Sequence, residues 1–589
     1  MTPWGESLDP SNVLPEHPRP QLVRDSYLNL NGHWEYAFTP AGASVPSVWD
    51  GQILVPFSPE APLSGVGRRL QPHELLWYRR VVALPEGFVG DRVLLHFGAV
   101  DQDARVWVNG VLVGKHRGGY LPFTVDITDP LGERAAVGRA EIVVAVRDVT
   151  DTSWRTRGKQ ALSPGGIWYS AQSGIWQTVW LESVPTAYVH RMDLTPHLDT
   201  GEVEVVVHSD APYPATVLVM ADGREVASRL VTAGVATRIS LSEVRTWSPA
   251  DPFLYDVEVR LGEDRVRAYV GMRSVALGAD PAGRARLLLN GEPFLHAGLL
   301  DQGYWPDGLY TAPSDEALAF DVQTAKDLGF TMLRKHIKVE PLRWYHHCDR
   351  LGMLVWQDAV SGGTSYGRVA TQGPVVAPWL RLGDAPSKRF GRADLEGREE
   401  FLRELEDTVE HLRSSPSVVV WVPFNEGWGQ FDARDVSELV RRLDPTRLID
   451  HASGWHDQGV GDLVSRHVYF RRYRLSRKDS RDPRAAVLSE YGGYSWRVPG
   501  HTWSEKEFGY RKFRDQERFG GAFLALQEEQ VAPALEKGLA AFVYTQLSDV
   551  EEETNGLLTY DRRVLKVDAD AVRASNDRLQ QRFSAAVSA

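Results

Sequence analysis

The chain has 589 residues, too many for a single hydrophobic core, so three or more domains are expected. Hydrophobic content of 43% and charged content of 24% are those of an ordinary globular protein. The net charge of −12 is spread without acidic or basic blocks, which argues against nucleic-acid and anionic-membrane partners.

The one cysteine, Cys348, rules out an intrachain disulfide and reads as a small apolar residue packed inside a helix. Met1 to Pro10 carries neither a basic region nor an apolar run, so no signal peptide is expected. No window approaches ~20 uncharged apolar residues, so no membrane span is expected and a cytoplasmic location follows. The 19 tryptophans stand out, because aromatic rings stack on the apolar faces of sugars.

Residues 1 to about 20 are proline-rich and are expected to wrap the surface. From Leu28 to about Pro185, short alternating runs are broken by Gly, Pro, Asn and Asp, the text of a β domain. In 104–114, Ala104, Val106 and Val108 share one face, and Asn109-Gly110 signals a type I′ hairpin. Such runs predict a jelly-roll β-sandwich over 1–185. A second β unit over 186–277 alternates at Val203, Val205 and Val207 and again at Val257 and Val259. Its size is that of an immunoglobulin-like β-sandwich.

From 278 to 589, strands and helices alternate, the pattern of a (β/α)8 TIM barrel. Ser314 caps a helix with a buried stripe at Leu318, Val322, Ala325 and Leu328, and Gly329 ends it. Further strands are predicted at 331–334, 353–357, 417–422, 447–451, 464–469, 486–489 and 540–544. Helices are predicted over 341–351, 399–413, 433–443 and 517–537, with an irregular Gly/Pro-rich insertion at 361–397.

Two of these strands end alike. Val418 to Val422 is an unbroken apolar run, followed by Asn425, Glu426 and a Gly-Trp-Gly turn. The run from Ala485 ends on Glu490, followed by aromatics and glycines. In α/β barrels the carboxyl ends of strands meet the substrate. Two glutamates there, after the fourth strand and the seventh, are what a retaining glycosidase requires. One is nucleophile, the other acid and then base, with carboxyls roughly 5–5.5 Å apart. Trp421 and Trp428 flank Glu426 in the sequence, and desolvation by them would raise its pKa.

Several stretches carry a wider likeness: WYRRVV at 77–82, VWVNG at 106–110, GIWQTVWLE at 174–182, WSPADPFLY at 247–255 and LNGEPF at 289–294. With FNEGWG and SEYGG in the barrel, they resemble glycoside hydrolase family 2 over nearly the whole length. That is the family of β-galactosidases, β-glucuronidases and β-mannosidases. The resemblance implies a jelly-roll sugar-binding domain, an immunoglobulin-like domain and a catalytic barrel. By the same resemblance, Glu426 matches the acid/base, Glu490 the nucleophile, and Asn425 the asparagine that hydrogen-bonds the sugar 2-hydroxyl. Arg334 matches the arginine beside the nucleophile, and Tyr469 the tyrosine that touches it. Better-known members read Arg-x-Ser-His after the second strand. Here the text is Arg334-Lys335-His336-Ile337, so the sugar-contacting histidine is displaced to His336 or replaced. Asp301 and Gln302, in the first βα loop, are candidate sugar ligands by position, as is Trp428 beside Glu426. Residues 544–558 show no Asn-x-Lys carboxylate clamp, which argues against a glucuronidase unless a basic residue of another loop stands in.

The expectation is a retaining, exo-acting glycoside hydrolase that releases terminal β-D-galactosyl residues. A β-D-galactofuranosidase, an α-L-arabinofuranosidase or a β-mannosidase is the alternative within the class. A non-catalytic carbohydrate-binding protein is the alternative outside it. The joint presence of Glu426, Glu490, Asn425 and Arg334 speaks against that last reading. No cofactor and no metal are expected, since the sequence has no Cys/His cluster and no phosphate-cradling glycine loop. A glycoside or oligosaccharide substrate is the expected partner, with no nucleic acid or membrane and with homo-oligomerisation left open.

Overall fold

The computed structural model describes residues 1–132, 138–371, 373–377, 379–385 and 387–588. Residues 372, 378 and 386 of the expected insertion lie outside that set. Residues 27–184 form two antiparallel sheets. One orders strands 27–29, 179–184, 92–97 and 123–126, and the other orders 51–55, 32–40, 74–83, 139–147, 103–108 and 111–117. Alternation sets the packing, because successive strand side chains point to opposite faces. Ala104, Val106 and Val108 enter the core between the sheets together with Leu76, Tyr78 and Val144. Asn109 and Gly110 take φ of 50° and 82°, the left-handed pair that a type I′ hairpin needs.

A second sandwich packs a three-stranded sheet (191–197, 202–208, 237–240) against a four-stranded one (224–232, 214–221, 255–261, 264–270). Val203, Val205, Val207, Val257 and Val259 fill it. A hairpin built on Val275–Ala279 and Ala285–Leu289 follows. Leu287 and Leu289 join Met332, Leu354 and Val419 in the apolar plug at the barrel's amino-terminal end.

The barrel strands are β1 His296–Asp301, β2 Met332–Lys335, β3 Leu354–Asp358 and β4 Val418–Val422. They continue with β5 Leu448–Ile449, β6 Leu463–Val468, β7 Ala485–Gly492 and β8 Leu539–Thr545. All pair in parallel, in the order β5-β4-β3-β2-β1-β8-β7-β6. The seam between β5 and β6 is bridged by the Asp462 N–H to the Ile449 carbonyl at 2.8 Å. Helices α1 Asp315–Asp327, α2 Leu342–Leu351, α3 Leu395–Leu412, α4 Ala433–Leu443, α5 Gln516–Leu526 and α6 Ala569–Ser588 surround it. Cys348 is buried within α2.

Two helices depart from the sequence reading for local reasons. Helix α3 starts at Leu395, because the Asp394 carboxylate caps it by accepting the Gly397 N–H at 3.0 Å. The helix expected over 517–537 is broken after Leu526 by a π turn, Gln527–Val531. Pro533 lies just beyond and has no N–H to continue the ordinary ladder. Among the described residues, no helix is long and apolar enough to cross a membrane.

Candidate active site

The carboxyl ends of β2, β3, β4 and β7 are tied together by one side chain. Arg334, near the end of β2, is fully buried. Its Nε and Nη2 donate to the two Asp358 oxygens at the end of β3, at 2.9 and 3.0 Å. Nη1 donates to Glu490 Oε1 at 3.0 Å, and Nη2 donates to Asn425 Oδ1 at 2.8 Å. A guanidinium presents its donors in a rigid plane, so these bonds fix the three partners relative to one another. Burial alone would favour loss of its charge, but Asp358 and Glu490 hold its pKa above the ordinary value. Because Arg334 takes the Asn425 oxygen, the amide NH2 is the end of Asn425 left for a ligand.

Glu426 and Glu490 face each other across His467 of β6. His467 Nδ1 lies 2.7 Å from Glu426 Oε1, and Nε2 lies 3.6 Å from Glu490 Oε1. The facing oxygens of the two glutamates lie within 4.8 Å of each other. Glu426 is held in the left-handed region, with φ of 51°, and its N–H donates to the Ser453 carbonyl at 3.0 Å. The Tyr469 hydroxyl donates to Glu490 Oε2, and its ring stacks on Tyr510 with centroids 4.0 Å apart.

These contacts split two chemically identical groups. Burial pushes the Glu426 pKa up and the charge of Glu490 adds to it, against the lowering effect of His467. Burial would push Glu490 up as well, but His467, Arg334, His336 and the Tyr469 hydroxyl together bring it below its ordinary value. Glu426, His467 and Glu490 also have the donor types of a metal site. Glu490 already has a cationic partner in the Arg334 guanidinium at 3.0 Å.

An aromatic wall stands beside the pair. Trp428 lies 5.3 Å from Trp168 and 6.0 Å from Tyr366 in stacked arrangements, and it meets the His336 ring edge-on at 6.3 Å. Trp168 belongs to the first β-sandwich and Tyr366 to the insertion, so three parts of the chain make one wall. His336 is buried, with Nδ1 2.8 Å from Asp358 Oδ2.

Two expected features change. Trp421 does not shield Glu426: it lies among the helices outside the barrel, and its indole donates to Asp444 at 3.0 Å. Successive strand residues face opposite sides, and Trp421 falls on the outer one. Asp301 is tied up as well, accepting from Lys335 Nζ at 2.7 Å and from the Gly303 N–H at 2.9 Å. Gln302 donates to Gln546 Oε1 at 2.8 Å, and Gln546 in turn donates to Asn555 Oδ1 at 2.8 Å. The sequence reading missed His467, Asp358, Tyr510 and Trp168. Asp358 ends an apolar run just as Glu426 and Glu490 do, and that signal could have found it. His467 lies inside β6, and nothing local marks it.

The molecule is a multidomain (β/α)8-barrel protein with paired carboxylates at its strand ends. It belongs to glycosyl hydrolases family 2: the sugar binding domain of that family matches 70–185, its central domain 187–273 and its TIM barrel domain 284–569. A β-galactosidase of Thermoanaerobacter pseudethanolicus is 25% identical over 394 residues, covering 63% of this chain and 47% of that protein. A β-glucuronidase of Paenibacillus borealis is 26% identical over 484 residues, covering 73% of this chain and 74% of that protein. The chain thus matches less than half of the first relative's length and about three quarters of the second's. Among solved structures, a β-D-glucuronidase of Dictyoglomus thermophilum superposes with a TM-score of 0.71 at 19% identity. It covers 95% of this chain and 98% of that one. A β-galacturonidase from Eisenbergiella tayi gives 0.69 at 19% identity, with 95% and 97% covered.

Proposed function

We propose that the protein is a retaining, exo-acting β-glycosidase. The observation that carries this reading is the gap of at most 4.8 Å between facing oxygens of Glu426 and Glu490. Retaining enzymes hold their carboxyl groups ~5–5.5 Å apart, while inverting ones need ~6.5–9.5 Å to admit a water. In this reading an ionised Glu490 oxygen attacks the anomeric carbon as the bond to the leaving oxygen breaks. Glu426 gives that oxygen its proton. Glu426, now a carboxylate, takes a proton from water as the water attacks the same carbon and frees Glu490. Asn425 would donate to the sugar 2-hydroxyl, a bond that strengthens in the oxocarbenium-like transition state. The wall of Trp168, Tyr366 and Trp428 favours a terminal sugar over a chain threaded through.

The galactoside expected from the resemblance differs from a galacturonide only at C6, where a carboxylate replaces the hydroxymethyl group, and from a glucuronide in the C4 configuration as well. The test of the core reading does not depend on that choice. Hydrolysis of a panel of p-nitrophenyl glycosides, including both ring forms of galactose and arabinose, is followed by proton NMR. The first-formed sugar is expected to keep the substrate's anomeric configuration. An inverted first product would remove the double-displacement assignment.

A further inference from the structure

Lysine is almost never buried without a counter-charge, because the desolvated ammonium must be repaid by a partner. Neighbouring lysines obey this rule. Lys335 donates to Asp301 and Glu340 at 2.7 and 2.8 Å, and Lys338 donates to Glu340 at 2.8 Å. Lys159 does not. It is 5% exposed and sits on the first β-sandwich, just before the short strand Gln160–Ala161. Its ammonium lies over two aromatic rings, 5.4 Å from the centre of Tyr169 and 5.8 Å from that of Trp428. Among the described residues, no carboxylate oxygen comes within 4.0 Å of it, and it makes no hydrogen bond. The rings attract the charge without neutralising it.

Its place is as telling as its lack of a partner. Trp428 also meets His336 edge-on, and His336 hangs on Asp358, the carboxylate that holds Arg334 beside Glu490. Lys159 therefore shares the Trp428 wall with His336, at the edge of the same pocket. Its charge reaches both walls: His336 is lowered by burial and further by Lys159, and Glu426, raised by burial, is drawn down by it. The barrel loop 544–558 contains no lysine or arginine. Its Glu551 and Glu553 are turned to the first β-sandwich, accepting from the Ser170 N–H at 2.8 Å and from the Tyr169 hydroxyl.

We infer that Lys159 is the receptor for a carboxylate on the sugar ring, so that the substrate is a β-D-uronide. This deepens the glycosidase reading and rests on it for hydrolysis, though not for binding. The carboxylate would supply the counter-charge that the chain withholds, through a charge-assisted bond beside the aromatic rings of Tyr169 and Trp428. A neutral sugar would leave the ammonium desolvated and unpaired. That is a penalty against neutral sugars as well as a gain for acidic ones.

The test uses the full chain in two arms. By titration calorimetry, D-glucuronate and D-galacturonate are expected to bind about 10- to 100-fold tighter than D-glucose and D-galactose. Lys159→Met should remove most of that ratio, and Lys159→Arg should retain part of it. A wild-type ratio near one overturns the inference even if the variant fails to fold. A ratio unchanged in folded Lys159→Met overturns it too. In the hydrolysis arm, p-nitrophenyl β-D-uronides are compared with their neutral counterparts, and 4-carboxyphenyl with phenyl β-D-galactoside. A preference for the acidic leaving group alone would put the anion on the wrong side of the scissile bond and overturn the proposal. Selective uronate binding without hydrolysis of any glycoside would support Lys159 and sink the glycosidase reading instead.

Discussion

Glu426 and Glu490 share an ordinary carboxyl pKa of 4.5, and only their contacts separate them. Glu490 lies below that value, so it is ionised across the neutral range. Glu426 lies above it, so it keeps its proton to higher pH. A mechanism that needs one charged and one neutral carboxyl gives a bell-shaped profile. The acid limb, where Glu490 takes up a proton, is expected below pH 4.5, and the alkaline limb, where Glu426 loses one, above it. His467 touches both groups and lowers both. His467→Ala should therefore move both limbs to higher pH, with a loss of kcat/KM of about 10²-fold or less if its role is positioning. Profiles of kcat/KM against pH for the two proteins decide this. Limbs that stay in place or move down would take His467 out of the electrostatics of the pair.

At the scale of elements, the turn after β4 decides where the acid points. Glu426 takes φ of 51°, and Gly427 follows with 76°. A Cβ on Gly427 would come within 2.7 Å of the His456 ring and 2.9 Å of the Phe390 ring. Gly427→Ala is expected to cost ~1–2 kcal/mol of stability, because a side chain resists the left-handed region. It should cost more in rate, since a shift of the acid by about 1 Å can lower kcat/KM ~10²-fold. Thermal melts and kinetics on one preparation separate the two effects, and wild-type kcat/KM in a destabilised variant would show that the turn does not position Glu426. The elements were the most legible part of the sequence. Helix α4 runs from Ala433 to Leu443 as its periodicity predicts, and each barrel strand lies within a few residues of its apolar run. What periodicity could not carry was depth and direction. Trp421 and Trp428 look alike beside Glu426 in the text, yet the first faces the outer helices and the second the pocket. Asp301 reads as a free ligand at a strand end, but its counter-ion Lys335 sits 34 residues away in the chain. Position on the barrel rim was visible, whereas the ion pairs that occupy a rim residue depend on contacts between strands.

Over the whole molecule, the barrel and the first β-sandwich are one body at the contact that carries the pocket. Trp176, Tyr120 and Tyr169 of the sandwich belong to the same apolar cluster as Tyr304, Tyr310 and Val360 of the barrel. Beside that cluster, helix α3 presents Glu400 to Arg117 at 2.8 Å and to the Thr156 N–H at 3.2 Å. Glu404, one turn on, packs against Gly118, where a Cβ would come within 2.7 Å of its carboxyl. Burial, then the negative charge of Glu400, push Glu404 up to about 7. An unfolded chain would release that proton near pH ~4.3. The folded value is raised, so the stabilisation is complete at acid pH and is lost as pH rises from ~4.3 through 7. Ionising Glu404 in place would set a second negative charge against Glu400 at the domain contact. Glu404→Gln cannot ionise, so its melting temperature should fall less between pH 6 and 8 than that of the wild type. Other buried carboxyls titrate in both proteins, so the difference between the two curves is the quantity to read. Curves that run parallel across that window would mean that Glu404 is already ionised at the contact.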